Sequence, residues 1–422
     1  MVAVPGTAET FRASMALLRT RRFGTFWVAS LLSNIGTWAQ QVAQPWLMLS
    51  LSGSSFLVGL DAFAMDAPAW GLTLVGGVLA DRGDRRKIIF GFQALQMLCP
   101  TLLVVLLLTG AVQPWMIIVL SLVVGVTDAL SMPSFASIVP SLVERGQIGT
   151  GIALNSTQFN LSRILGPAVA GVLLAGAGAV GCFAVSAASY LPFILVALWV
   201  LPHGRPQNVG PRKQAFSGLG VILKDPVLRG ALLTVFITAS LCSPLITFCP
   251  VLVTEVFKAG AASFSGSIAA FGLGGLLGAL ALLGIEGRFD RRKLSTRAGA
   301  FYGVVVIACA LAPWLWMVPV LLVLAGISMS VSNTQANSIL QTAAGPSLRG
   351  QTASMMMLAM RGGMSTGSLV TGISSHYLGV QWALLINGIL AVALHLVLHS
   401  LALRKRGEGQ GPSTPTSPAG TR

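Results

Sequence analysis

Five charged residues lie inside long apolar runs of this chain, and they are the residues best suited to carry chemistry. Three are carboxylates, Asp61, Asp66 and Asp128, and two are arginines, Arg163 and Arg361. A charge in hydrocarbon costs about 2.5–3.5 kcal/mol unless it is paired or hydrated, so such residues indicate a functional site facing a cavity. Because burial favours the neutral form of a carboxyl group, these carboxylates are candidates for proton exchange.

Asp128, which lies well inside its apolar run, is the first candidate for a proton carrier. The alternative is a fixed ion pair between Asp128 and Arg163. Asp66 is the second candidate. Asp61, five positions earlier, cannot share a helical face with Asp66, and it either takes part in proton exchange or reaches the outer interface. Arg361 either binds an anionic group of a substrate or steadies its own helix.

The apolar runs themselves predict the elements that position these charges. Of the 422 residues, 54% are apolar and only 9% are charged, a composition far from that of soluble globular domains. About a dozen runs have roughly the 20 residues that a helix needs to cross a bilayer. No alternating strand pattern is present. We therefore predict an all-α polytopic membrane protein with twelve transmembrane helices.

The net charge of +15 predicts an orientation and not a nucleic-acid partner. If the amino terminus is cytoplasmic and the spans alternate, 24 of the 27 Lys and Arg residues fall on the cytoplasmic side. Cytoplasmic loops of membrane proteins carry such an excess of basic residues. The five cysteines have no CxxC spacing and are odd in number, which predicts neither a disulfide framework nor a zinc site.

A polar segment divides the spans six and six. We predict a cytoplasmic lead-in over residues 1–22, a first six-helix half over 23–201 and a cytoplasmic linker over 202–227. The second half would cover 228–402 and a disordered cytoplasmic tail 403–422. The lead-in has no separate apolar core with a cleavage site, so it is not interpreted as a cleaved signal.

Weak repeats relate the two halves. The stretch from Asp84 to Lys87 recurs from Asp290 to Lys293, and Gly166-x4-Gly171 recurs as Gly367-x4-Gly372. Parallel repeats of this kind are how several transporter folds are built, so we expect two pseudo-symmetric halves.

The charged loop after the second span carries the most specific motif. Gly77, three spacers, Asp81-Arg82 and then Arg85-Arg86 resemble the loop between helices 2 and 3 of the major facilitator superfamily. The chain departs from the usual form of this motif at one point. The family has a glycine at the position of Asp84, whereas this chain has its glycine one position earlier, at Gly83. The resemblance implies the twelve-helix fold of that superfamily, with a fourth helix that lines the central cavity. It also implies that Asp81 and its basic neighbours latch the two halves through the eleventh helix.

The fifth span carries a second motif, made of Ser162, Arg163, Gly166, Pro167 and Gly171. It resembles the helix-5 signature of exporters in that superfamily, although three glycines of the signature are replaced by Ala153, Ser162 and Ala170. The resemblance implies export. The alternative is ordinary packing of small residues against a neighbouring helix.

Polar stripes on two further spans predict a substrate cavity. Asn34, Trp38 and Gln41 recur at helical spacing in the first span, and Asn333 and Asn337 do so in the tenth. Together with Arg361 they are the candidate cavity residues. Hydrogen bonding between helices would explain the stripes equally well.

Within the superfamily, Asp128-x4-Pro133 and Ser162-Arg163-x2-Gly166-Pro167 resemble the drug–proton antiporter branch of enterobactin and macrolide exporters. The branch implies proton-driven efflux of a small amphipathic molecule across a bacterial cytoplasmic membrane, by a monomer without cofactor, metal or nucleic acid. No Walker A sequence is present, so we expect no ATPase or other enzyme activity. The rival interpretations are a metabolite importer, a lysophospholipid flippase, and a non-transporting sensor or scaffold.

Overall fold

A computed structural model describes residues 7–201, 220, 222, 224–285, 290–343 and 349–408, and within them the chain is helical. The helices are α1 Thr7–Leu18, α2 Arg21–Ser52, α3 Ser55–Asp66, α4 Ala69–Arg82, α5 Arg85–Leu108, α6 Pro114–Ile138, α7 Ile148–Gly176, α8 Gly178–Trp199, α9 Pro226–Ile237, α10 Pro244–Thr247, α11 Cys249–Val251, α12 Ala261–Ile285, α13 Arg291–Ala310, α14 Met317–Ala343, α15 Arg349–Leu378 and α16 Val380–Glu408. Helices α1 to α8 form one half, and α9 to α16 form the other.

These helices make twelve spans, as the sequence predicts. In the described part of the chain, eight helical segments are long and apolar enough to cross a membrane by length and composition alone. The other four spans are α2, the pair α3–α4, α13 and α15. The members of the pair have only 12 and 14 residues, and α13 opens with three basic residues, from Arg291 to Lys293.

Two spans are broken in ways the sequence analysis did not predict. The second span, expected as one helix, is interrupted at Ala67 and Pro68, because the proline has no backbone N–H to donate. Both residues keep right-handed helical dihedrals. The seventh span contains two π-helical segments, Thr238–Cys242 and Leu252–Val256. Such π-segments are often found at functional sites.

Both predicted end segments contain helix where they are described. The lead-in contains helix α1, and α16 continues to Glu408, into the segment predicted as a disordered tail. The rest of the tail and most of the predicted linker lie outside the described residues.

The halves touch mainly along two helix pairs, α3 with α15 and α7 with α12. Glycines permit both contacts. A Cβ on Gly59 would lie 2.5 Å from the carbonyl oxygen of Ser368, and one on Gly171 would lie 2.7 Å from that of Ser265. Small residues that bring backbones together are the usual means of helix association in membranes.

Among the described residues, the halves share an apolar cluster at one end of the bundle. We call the end at which α2 ends and α3 begins the distal end, and the opposite end, where α4 ends and α5 begins, the basic end. At the distal end one apolar cluster draws on both halves, and the Trp46 ring stacks on Phe264 with centroids 5.1 Å apart.

At the basic end, the apolar clusters of the described residues are separate. One surrounds Phe23, Phe26 and Phe193 of the first half. The other surrounds Leu228 and Leu340 of the second half. Among the described residues, apolar packing therefore joins the halves at the distal end, whereas at the basic end each half has its own cluster.

Candidate functional site

Arg361 joins the two halves by binding two carboxylates at once. Its Nη1 donates to Asp66 Oδ1 and its Nη2 to Asp128 Oδ2, both at 2.6 Å. The arginine lies on α15 of the second half, whereas the aspartates lie on α3 and α6 of the first. The cluster is therefore an ionic link across the interface between the halves.

Local sequence explains why the two carboxylates are adjacent. Asp66 is the last residue of α3, directly before the break at Ala67 and Pro68. Gly125 brings α6 against this point, because a Cβ there would overlap the carbonyl oxygen of Met65. One turn further along α6, Asp128 then lies beside Asp66.

The cluster is unequally buried and unequally charged. The side chains of Asp66 and Arg361 are 9% and 12% exposed, whereas that of Asp128 is 32% exposed. One positive charge faces two negative ones, so the site carries an excess negative charge. Protonation of one carboxylate would remove that excess and weaken one strong, charge-assisted hydrogen bond across the interface.

The predicted alternative for Asp128, an ion pair with Arg163, is wrong because Asp128 pairs with Arg361. The guanidinium of Arg163 instead lies over the ring of Trp38, 5.3 Å from its centroid, in a cation–π contact. The Nε of Arg163 is buried and has no hydrogen-bond partner among the described residues.

Asp61 does not reach the outer interface, and that part of the prediction is also wrong. It is 2% exposed and lies within the first half. Gln44 Nε2 donates to Asp61 Oδ2 at 2.7 Å, and Ser121 Oγ lies 2.5 Å from Asp61 Oδ1. Asp61 is buried because it points towards α2 and α6, on a different face of α3 from Asp66.

The hydrogen bonds around Asp61 extend to residues that sequence reasoning missed. Gln40 Nε2 lies 3.4 Å from Gln44 Oε1, and Ser186 on α8 donates to Gln40 Oε1 at 2.8 Å. The usable signal was the pair Gln40 and Gln44, four residues apart in an apolar run, which places two amides on one helical face.

The predicted cavity residues differ from this network. Four residues are half-buried: Asn34, Gln41, Asn333 and Asn337. Their side-chain amides make no hydrogen bond to another described residue. Trp38 is half-buried and meets Phe159 edge to face at 6.2 Å between centroids. In the described chain, interhelical hydrogen bonding therefore does not account for the four amides.

The helix-5 motif packs against neighbouring helices. Gly166 abuts Trp38 of α2, and Gly171 abuts α12 of the other half. Pro167 is buried within α7, and the buried hydroxyl of Ser162 donates to the Phe159 carbonyl at 2.8 Å. The packing role of the motif is thus present in the geometry.

The loop motif is only partly described. The surroundings of Gly77 and the side chains of Asp81, Arg82 and Arg85 are not among those that the structure describes. Arg86 donates from its guanidinium to the carbonyl oxygen of Leu198 at the end of α8.

The acidic residues before the two basic runs are helix caps. Asp84 Oδ1 accepts from the Arg86 backbone N–H, and Asp290 Oδ1 accepts from that of Arg292, each at 3.0 Å. This is the hydrogen bond expected of an N-cap residue. The repeat that the sequence showed between the halves thus has the same local structure in both.

The described residues hold no group of three or more His, Cys, Asp and Glu side chains that could bind a metal ion. The five cysteines are free and buried.

Comparisons with known proteins agree with one another on the class of protein. Residues 12–419 match the family described as transmembrane secretion effector. The staphyloferrin A transporter of Staphylococcus aureus is 23% identical over 379 residues, covering 89% of this chain and 94% of that protein. The macrolide efflux protein A of Streptococcus pyogenes is 23% identical, with coverage of 89% and 95%. The enterobactin exporter EntS of Shigella boydii is 26% identical, with coverage of 90% and 94%.

Solved structures show the same fold. The nucleoside transporter NupG superposes with a TM-score of 0.69 at 14% identity, covering 90% of this chain and 99% of that one. A D-xylose–proton symporter superposes with a TM-score of 0.70 at 14% identity, with coverage of 89% and 97%. At this level of identity the likeness shows the fold of the transporters and nothing about substrates.

Proposed function

The chain belongs to the family of transmembrane secretion effectors, transporters of the major facilitator superfamily, and on that premise we propose that it exports amphipathic organic molecules in exchange for protons. It is a multi-pass membrane transporter of small molecules and not an enzyme. The observation that carries proton exchange is the ionic link from Arg361 to Asp66 and Asp128.

The link suits proton coupling because it joins the halves that must move. Alternating access requires the two halves to rock about a site near the midplane. One arginine against two carboxylates leaves room for a proton on one of them. Asp128 is the more exposed carboxylate, so it is the first candidate carrier. Asp66 is the second, and Asp61 the third.

Orientation follows from the basic residues, which place the basic end of the bundle in the cytoplasm. With both termini cytoplasmic, the packed distal end would face outwards, and the structure would correspond to an inward-facing state. The two halves at 23–201 and 228–402 would then be joined by a cytoplasmic linker at 202–227. The loop from Gly77 to Arg86 would latch the halves when the basic end closes. We assign the bacterial cytoplasmic membrane as the location and a monomer as the working unit.

The substrate class rests on the relatives and on the cavity candidates. Relatives are named for siderophores, macrolides and multiple drugs. The half-buried amides of Asn34, Gln41, Asn333 and Asn337 would offer hydrogen bonds, and the half-buried ring of Trp38 would offer aromatic surface. That mixture suits large molecules with both apolar and polar parts.

The test is proton flux in inside-out vesicles whose lumen is acidified. Siderophores, macrolides and other amphipathic drugs are added in turn to vesicles containing the native protein or Asp128→Asn. We expect a substrate to dissipate the gradient with the native protein and not with the variant. Glu255→Gln, which removes an exposed carboxylate, is the matched control and should behave as native.

The other outcomes separate the rival functions. An equal response of Asp128→Asn would move the carrier to Asp66. Equilibration of a radiolabelled substrate without proton movement would make the protein a facilitator. Accumulation in right-side-out vesicles would favour an importer, and movement of lysophospholipids alone a flippase. No transport of any compound would favour a sensor or scaffold.

A further inference from the structure

The carboxyl group of Asp61 is the one intramembrane acid in the described chain that has no cationic partner. It is 2% exposed, and its hydrogen-bond partners are the neutral side chains of Gln44 and Ser121. An ionised carboxylate buried without a counter-charge is so costly that such groups are neutralised instead.

No charged group on the neighbouring elements changes this conclusion. Helix α3 packs against α2, α6, α10 and α15. On α6 and α15, Asp128 and Arg361 bind each other, and His376 is exposed at the distal end of α15. The arginines of α2 lie at its opposite end, and α10 carries no titratable residue. The nearby thiol of Cys99 on α5 is buried and free.

Counting hydrogens leads to the same result. Gln44 Nε2 contacts both Asp61 and Ser121, and Ser121 Oγ contacts both Asp61 and the carbonyl oxygen of Ile117. These four contacts need four hydrogens, but the amide supplies two and the hydroxyl one. A proton on Asp61 Oδ1 supplies the fourth, donating to Ser121 Oγ while Ser121 donates to Ile117.

We propose that Asp61 is a proton-binding site separate from the Arg361 cluster, and that its proton holds α3 in the position that closes the distal end. Asp61 fixes one face of α3 to α2 and α6. The opposite face carries Gly59, which packs on Ser368 and Gly372 of the other half, and α3 ends at Asp66.

Loss of the Asp61 proton to water would leave a buried charge on α3. Because water reaches that charge only if the packing around α3 loosens, ionisation favours distal opening. The inference goes beyond the proposed function, since it holds whichever carboxylate carries the coupling proton and whatever the substrate is.

The first test is infrared difference spectroscopy of the purified protein in lipid. At neutral pH the native protein should show the carbonyl stretch of a protonated carboxylic acid. Asp61→Asn should lose the component of this band that comes from Asp61, and Asp66→Asn, the same change on the same helix, should keep that component. A band of unchanged intensity in Asp61→Asn, or its absence from the native protein, overturns the proposal.

The second test is the distance across the distal end, measured between spin labels at Ser50→Cys and Glu255→Cys. Both sites are exposed and the native cysteines are buried. As pH rises, the native distance distribution should shift towards longer values, over the pH range in which the infrared band is lost. In Asp61→Asn it should stay short, because an asparagine amide donates to Ser121 as the neutral acid does.

Two results of the distance measurement would overturn the role of Asp61. One is a native distribution that does not move while the infrared band disappears, a comparison that needs no variant. The other is an Asp61→Asn distribution that shifts with pH as the native one does. Neither measurement uses a transported substrate, so failure of the proposed efflux activity would be seen separately.

Discussion

The molecule contains two buried carboxylate sites built on the same short helix, and they differ in what balances the acid. At the end of α3, Asp66 shares Arg361 with Asp128, across the boundary between the halves. One and a half turns earlier, Asp61 is held by Gln44 and Ser121 within one half. The first pair shares a cation, whereas the second acid has neutral partners.

Under the two proposals above, the sites would have different parts in one transport cycle. An ionic link between moving halves has to break and re-form, so a proton there would be coupled to movement. An acid inside one half keeps its partners when the halves rock, and we propose that its proton controls the position of α3. The predictions below test that division, beginning with the largest effect.

Replacing the shared cation should have the largest effect. Arg361→Met leaves Asp66 and Asp128 buried without a counter-charge, which costs about 3–5 kcal/mol when one partner of a buried pair is removed. We expect loss of transport and a lower unfolding temperature. Arg361→Lys keeps the charge but not the bidentate geometry, so its transport and its unfolding temperature should lie between those of the native protein and those of Arg361→Met. A methionine variant with native stability and transport would contradict the ionic link.

Neutralising Asp128 and neutralising Asp61 should impair transport in different ways. Asp128→Asn removes one charge-assisted hydrogen bond, worth about 1.5–3 kcal/mol, and should let substrate move without protons. Asp61→Asn should instead slow transport while leaving the number of protons moved per substrate unchanged. Parallel measurement of radiolabelled substrate and proton flux checks both. The division is wrong if Asp61→Asn changes the ratio.

A change within the Asp61 site should cost less and act independently. Ser121→Ala leaves a buried polar contact unmade, which costs about 1–3 kcal/mol. If the two sites are separate, the losses of stability in Ser121→Ala and Asp128→Asn should add within about 0.5 kcal/mol in the double variant. Thermal or denaturant unfolding in detergent measures this. A larger coupling would mean that the sites form one network.

The smallest effects are expected at the two helix caps, which supply a reference for carboxylates outside both sites. Asp84→Ala and Asp290→Ala should each cost about 1 kcal/mol, as loss of an N-cap does. The number of protons moved per substrate should be unchanged. Unequal losses would show that the repeat does not have the same energetic role in both halves.

The sequence by itself determined the membrane class, the twelve spans and the list of charged residues worth testing. The length of an apolar run and the basic charge of a loop are local properties of the sequence, and they are the properties that set membrane insertion and topology. The asparagine and glutamine stripes were likewise visible from helical spacing. The family resemblance was carried by short motifs such as Asp81-Arg82 and Gly166-Pro167.

Only the tertiary structure decided which charges meet. Arg361 lies 295 positions from Asp66 and 233 from Asp128, and no spacing rule connects residues on different halves. Sequence reasoning offered Arg163 as an alternative partner for Asp128. For Asp61 it offered contact with the outer interface as an alternative to proton exchange. Packing placed Asp61 against α2 and α6, where Gln44 and Ser121 bind it, because burial of a side chain depends on the neighbouring helices and not on its depth in the span.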